Sequence, residues 1–222
     1  MSLQPRADSS SPAPVPVVYI VDDDDAVRTS LRFLLESVGC ELRVSAGGGE
    51  FLDAYDPRRP GCVVLDVRMP LMGGFDLQKE LLRRNAPLPI VFITGHGDVP
   101  MSVRALKGGA FDFIQKPFNY QVMIDTIQAA LAEGVRLFTE AQRNSRRTAR
   151  LLSLSPRERS VLDLMIEGHQ TKQIAHELGI SPKTVEVHRA NIRQKLGTDS
   201  LAKIMQIVFG VKPSAGELPD RP

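Results

Sequence analysis

The chain has 222 residues, 42% of them hydrophobic and 24% charged, with a formal net charge of +2. That length suits one large domain or two ordinary ones with a real core, and the composition is that of a soluble globular protein. No apolar run approaches the roughly 18 residues needed to span a bilayer, residues 1–16 lack the apolar stretch of a signal peptide, and two cysteines, Cys40 and Cys62, cannot form a disulfide framework, so the expected location is cytoplasmic.

Residues 1–16 are rich in Ser and Pro and read as a disordered tail. From Val17 short apolar runs recur at Val17–Val21, Leu42–Ser45, Cys62–Asp66, Ile90–Thr94 and Phe111–Gln115. Segments with helical spacing lie between them: Leu31, Leu34, Leu35 and Val38, then Leu77, Leu81 and Leu82, then Val103, Leu106 and Ala110. Five strands alternating with helices predict a doubly wound, flavodoxin-like α/β domain with a parallel sheet over residues 17–132. In such sheets the functional groups gather at the carboxyl ends of the strands.

After Phe118 the strand signals stop. Val122, Ile124, Ile127, Ala130, Leu131, Val135 and Leu137 form one long helical pattern, which turns polar and Arg-rich at Arg143, Arg146, Arg147 and Arg150. Residues 133–151 read as a helical linker. A helix to about Glu133 that breaks at Gly134 is the alternative; Gly costs a helix interior only about 1 kcal/mol, so both readings stay open.

A small all-α domain of four helices is predicted over residues 152–211. Ser155-Pro156-Arg157-Glu158 has the form of a capping box with Pro at the first helical position. That helix runs to about Glu167 and stops at Gly168. A short helix with Ile174, Ala175 and Leu178 ends at Gly179, Ser181-Pro182 opens a third that reaches Leu196, and a fourth covers Ser200 to Phe209. Residues 212–222 read as a polar tail. The halves differ in charge: residues 17–130 carry 12 Lys/Arg against 15 Asp/Glu, whereas residues 131–210 carry 13 against 8. The second half therefore suits a polyanionic partner.

The strand ends carry the chemistry. Asp22 and Asp23 close the first, Asp66 the third, Thr94 the fourth and Lys116 the fifth. Three carboxylates, a hydroxyl and an ammonium on one rim suit phosphorylation of a carboxylate. Two acids flanking a third make an oxygen-only Mg²⁺ site, the metal offsets repulsion between an anionic nucleophile and an anionic donor, and Asp66 is the candidate nucleophile. Lys116 can pair with phosphoryl oxygens and Thr94 can donate to one of them. Asp24 and Asp25 instead suit the start of the first helix, and Asp98 and Asp112 read as capping or solvated residues. Phosphatases of the haloacid dehalogenase type also use an Asp nucleophile, but they need a second Asp two residues later, where this chain has Arg68.

The segments VYIVDDD, VVLDVRMPLMGG, VFITGHGDV and FDFIQKPF, in that order, resemble the signature segments of response-regulator receiver domains over residues 17–130. The resemblance implies that Asp66 is the phosphoacceptor. It also implies that Asp23, Asp66 and the backbone carbonyl of Arg68 hold Mg²⁺, with Asp22 acting directly or through water. Phe113 would be the switch aromatic and the Lys116–Pro117 bond would be cis. A receiver of this kind assists its own phosphorylation and is not a conventional enzyme.

Lys172–Leu178, the Gly179 turn and Ser181–Leu196 form a helix-turn-helix pattern. The stretch LSPRERSVLDLMIEGHQTKQIAHELGISPKTVEVHRANIRQKLG resembles LuxR-type DNA-binding domains, and both halves together resemble FixJ/NarL-type transcriptional response regulators. On the third helix of this domain, Val185, His188, Ile192 and Leu196 are spaced to pack inward. Glu186, Val187, Ala190 and Arg193 can face the major groove, where Val187 could touch a thymine methyl and Glu186 could accept from a cytosine amino group. Glu186 reads equally as a solvated acid. Lys172, Lys183, Thr184, Arg189 and Lys195 are placed for phosphates. The four histidines do not group as a metal site, and Gly47-Gly48-Gly49 lacks the Lys-Ser/Thr of a phosphate loop.

The expected partners are a sensor histidine kinase, promoter DNA and a second copy of the chain, joined through Val99–Lys107 and Phe111–Gln115 on phosphorylation. RNA polymerase is a further partner the resemblance allows. A phosphate sink and a phosphorylation-independent DNA-binding protein are the rival readings. Control by masking the DNA-binding helix and control by dimerisation both fit the sequence.

Overall fold

A computed structural model describes residues 14–95 and 97–210. Most of the N-terminal tail, the C-terminal tail and His96 lie outside the described residues. The chain divides into two compact units, Met1–Ala141 and Gln142–Pro222.

The first unit is a parallel five-stranded sheet in the order β2-β1-β3-β4-β5, with β1 (Val17–Val21), β2 (Glu41–Ser45), β3 (Gly61–Asp66), β4 (Ile90–Thr94) and β5 (Asp112–Gln115). The order reverses between β1 and β3, so the switch point where such sheets bind ligands lies between Asp22 and Asp66. Side chains alternate along each strand. Val17, Tyr19, Val21, Val63, Leu65, Ile90 and Phe92 pack on one face with Phe51, Leu77, Leu81 and Ala105. Val18, Ile20, Cys62, Val64, Val91 and Ile93 pack on the other with Leu31, Leu35, Met123 and Ile127. The first face is covered by α2 (Gly48–Ala54), α3 (Gly74–Arg83) and α4 (Val99–Lys107), the second by α1 (Asp25–Glu36) and the start of α5 (Tyr120–Leu152).

Asp24 caps α1 by accepting from Ala26 N at 2.8 Å, and Asp98 caps α4 by accepting from Met101 N at 2.7 Å. α2 begins at Gly48, inside the glycine run that gave no helical signal. Gly48 is buried there against Met72, whose Sδ would lie 2.8 Å from an added Cβ. α5 is one helix of 33 residues and does not break at Gly134. Gly134 is buried because it lies on the backbone of Gly61 at the start of β3, and a Cβ there would meet the Gly61 carbonyl oxygen at 2.0 Å.

The second unit holds the last turns of α5, then α6 (Pro156–Ile166), α7 (Thr171–Leu178), α8 (Pro182–Leu196) and α9 (Leu201–Phe209) around Val161, Leu162, Ile174, Val185, Ile192, Leu196 and Ile204. The capping box at the start of α6 is complete: Ser155 accepts from Glu158 N at 3.2 Å, and Glu158 Oε2 accepts from Ser155 N at 2.7 Å. Gly179 and Gly197 end α7 and α8 in the left-handed region, at φ +64° and +70°. Two arginines of α5 cap the far ends of the other helices. Arg147 donates to the carbonyls of Ile207 (2.6 Å) and Val208 (3.0 Å), and Arg150 to that of Leu196 (3.1 Å). The Arg-rich segment is thus built into this unit.

Candidate functional site

The sheet brings Asp22, Asp66 and Lys116 into direct contact. Asp22 follows β1, Asp66 ends β3 and Lys116 follows β5, just before a cis Lys116–Pro117 bond. The Lys116 ammonium donates to Asp22 Oδ2 at 2.6 Å and to Asp66 Oδ1 at 2.8 Å. The remaining carboxylate oxygens accept backbone N–H groups: Asp22 Oδ1 from Asp24 at 2.9 Å and Asp66 Oδ2 from Arg68 at 2.6 Å. Both acids are almost wholly buried, at 1% and 6% exposure.

Burial pushes the Asp22 carboxyl up against the lowering effect of the Lys116 ammonium and the Asp24 N–H. Burial pulls Lys116 down, but its hydrogen bonds to Asp22 and Asp66 outweigh this and leave it above the ordinary lysine value. The site therefore holds an ammonium between two crowded carboxylates, in surroundings where charge is expensive to bury. Arg28, which no local pattern singles out, steadies the rim. Its Nη1 donates to the Asp22 carbonyl at 2.7 Å, and its Nη2 pairs with Asp25 at 2.9 Å.

Asp23 is exposed, with no hydrogen bond to its carboxylate among the described residues. Among those residues no group of three or more His, Cys, Asp or Glu side chains closes into a metal-binding cluster. Thr94 ends β4 at 1% exposure, and its carbonyl accepts from Lys116 N at 2.8 Å. Phe113 of β5 is half-buried. A Cβ at Gly97 would lie 3.1 Å from Thr94 Cγ2 and 3.0 Å from Phe113 Cε1, so the two side chains meet at Gly97.

On α8, Val185, Ile192 and Leu196 are fully buried, whereas His188 stays half-buried. Lys183, Thr184, Glu186, Val187 and Ala190 are exposed, as is Lys172 on α7. Thr184 Oγ1 lies 2.8 Å from Ser181 Oγ, which also accepts from Thr184 N, so Thr184 takes part in the cap of α8. Arg189 and Arg193 are half-buried and share a groove of about 520 Å³ with Lys172, His169 and Asp199. Lys195, expected among the phosphate contacts, is engaged elsewhere. It donates to Glu158 Oε2, the buried acid of the α6 capping box, at 2.6 Å and to the Ser153 carbonyl at 3.0 Å.

Known proteins share both parts. Residues 18–128 match the family of response regulator receiver domains, and residues 152–208 match the luxR family of bacterial regulatory proteins. The transcriptional regulatory protein FixJ of Azorhizobium caulinodans is 44% identical over 204 residues, spanning 91% of this chain and 97% of that one. The transcriptional regulatory protein TdiR of Thauera aromatica is 41% identical over 214 residues, 92% of this chain and 94% of that one. Among solved structures, the response regulator StyR superposes with a TM-score of 0.79 at 44% identity, covering 89% of this chain and all of the other. The full-length FixJ structure from B. japonicum gives 0.52 at 39% identity, covering 89% and 97%.

The protein is thus a response regulator, a receiver joined to a LuxR-type DNA-binding domain. It belongs to the FixJ/NarL-type transcriptional regulators of two-component systems, whose work is phosphorylation-dependent control of transcription. Among the described residues no helix is long and apolar enough to cross a membrane.

Proposed function

We propose that Asp66 is the residue that carries the phosphoryl group. The observation that supports this most directly is the Lys116 ammonium on Asp66 Oδ1 and Asp22 Oδ2 together, a counter-charge set where an anion would form. An oxygen of Asp66 attacks the phosphorus of a phosphohistidine on a sensor histidine kinase, the P–N bond breaks and the imidazole leaves. Lys116 pairs with the incoming oxygens and Thr94 donates to one of them.

The donor set is all oxygen and fits Mg²⁺. Asp23, Asp66 and the Arg68 carbonyl would hold it, with Asp22 acting directly or through water. Exposed Asp23 is the acid with capacity to spare. When bound, the metal neutralises charge between nucleophile and donor.

The added phosphoryl charge draws Thr94 inward and lets Phe113 follow, and the surface of α4 and β5 then becomes a dimer contact. Val99, Val103 and Leu106 support this, because they form an exposed apolar stripe at helical spacing beside Phe111. Two copies of α8 would meet half-sites about one DNA turn apart. Lys172, Lys183, Thr184 and Arg189 would bind phosphates, while Glu186, Val187, Ala190 and Arg193 would face base edges. Promoter-bound dimers would contact RNA polymerase.

Sedimentation and footprinting of wild type and Asp66→Asn, each with and without acetyl phosphate and Mg²⁺, test this. Dimerisation and protection should rise only for phosphorylated wild type. Equal dimerisation and occupancy by Asp66→Asn would overturn the proposal.

A further inference from the structure

Two charged side chains on α8 are held by a residue outside it. Thr171, the first residue of α7, donates its hydroxyl to Glu186 Oε1 at 2.6 Å and accepts from Arg189 Nη1 at 3.0 Å. One hydroxyl thus uses its donor and an acceptor lone pair to bridge an acid and a base three residues apart, on one face of the helix. The bridge has a firm footing. Threonine is stiff at χ1, and the first turn of α7 is tied back to its cap residue, where Gln170 N donates to Gln173 Oε1 at 2.7 Å. Arg189 bonds Thr171 through Nη1, while its Nε is buried without a hydrogen-bond partner.

The consequence follows from charge. A carboxylate on the DNA-facing side of α8 is repelled by the phosphates, and a loose one would turn away from the duplex. Here the hydroxyl keeps Arg189 beside Glu186, which offsets that repulsion. It also engages one lone pair of Oε1, which fixes the carboxylate's orientation and leaves Oε2 to accept from a base edge.

We propose that Thr171 is a positioning residue for DNA reading: by linking Glu186 to Arg189 it holds the carboxylate as an acceptor for a cytosine amino group. This rests on the assignment of α8 as the base-reading helix. Thr171 contacts no base in this scheme. It sets the sequence preference through Glu186, and Arg189 acts as the local counter-charge as well as a phosphate ligand.

The test uses the full chain with acetyl phosphate and Mg²⁺. Wild type selects sites from a random DNA library, and binding to every single-base variant of the selected site is then measured for wild type, Thr171→Val, Thr171→Ala, Thr171→Ser and Glu186→Ala. Thr171→Val removes the hydroxyl at nearly constant shape. Thr171→Ala removes it with a better helix former, so it supplies the same reading should the valine variant fold poorly.

Both should lose about fivefold or more in preference at one base pair, the low end of what one base contact supplies. Glu186→Ala should lose preference at that same base pair, and Thr171→Ser should keep the wild-type profile. Uniform weakening at all sites by the valine and alanine variants, or an unchanged profile, would overturn the role of Thr171 and leave the assignment of α8 standing. A wild-type chain that enriches no sequence would overturn that assignment, and the proposal with it.

Discussion

Helix propensity and packing make opposite predictions for Gly134→Ala. In the interior of a helix alanine is favoured over glycine by about 1 kcal/mol. Gly134, however, lies on the backbone of Gly61, and an added Cβ would be 2.0 Å from its carbonyl oxygen and 2.9 Å from its carbonyl carbon. Contacts under 3.0 Å do not persist, so α5 and β3 would have to part by about 1 Å. β3 cannot give way easily. It is hydrogen-bonded between β1 and β4, and Gly61 is so close to Val17 that its own Cβ would meet the Val17 carbonyl oxygen at 2.2 Å. Overpacking costs roughly 1–3 kcal/mol, and a backbone-on-backbone clash belongs at the upper end. The expected net destabilisation is about 1–2 kcal/mol after the propensity gain. Urea unfolding followed by circular dichroism would measure it. Gly49→Ala is the control: it is exposed in α2 with nothing within 4 Å of the added Cβ, and should be neutral or stabilising. A Gly134→Ala protein as stable as wild type would refute the packing argument.

Other expectations follow from the same contacts. Lys195→Met should destabilise the second unit by about 1–2 kcal/mol at neutral pH, less than a fully buried pair because the lysine is 37% exposed while Glu158 is 5% exposed. The ion pair holds the Glu158 carboxyl below its ordinary value of 4.5, so its contribution is present above that pH and is lost as pH falls through the lowered value. Acid titration of stability should therefore be shallower for Lys195→Met, and an unchanged slope would count against the pair. Arg147→Ala should loosen α9 by about 1–2 kcal/mol through loss of two charge-assisted bonds, read as faster amide exchange in its last turn; exchange at the wild-type rate would argue against the cap. Cys62 is fully buried and its thiol is pushed up by that burial, so in the native protein it should resist thiol reagents longer than half-buried Cys40; equal labelling rates would contradict this.

The sequence alone determined the features that follow from local pattern. β1 and β4 have the limits their apolar runs implied, because both are buried along their whole length and the pattern has no competing explanation. The outer strands differ by one residue at their starts: β2 gains Glu41 despite its polarity, whereas β5 begins at Asp112 and leaves out Phe111. The charged rim was legible too, since a parallel sheet gathers the ends of its strands and four of those ends carried Asp22, Asp66, Thr94 and Lys116. What only the tertiary structure decided depends on partners far away in the chain. Position 134 requires glycine because Gly61 passes beneath it, and Lys195 is held against the buried Glu158 in the free protein. Thr171 reaches Glu186 and Arg189 only because α7 packs on α8. Periodicity and capping rules act over a few residues, whereas a close backbone approach or a buried counter-charge depends on which elements pack together. That is why the Asp66 site was readable from strand ends and its Lys116 bridge to Asp22 was not.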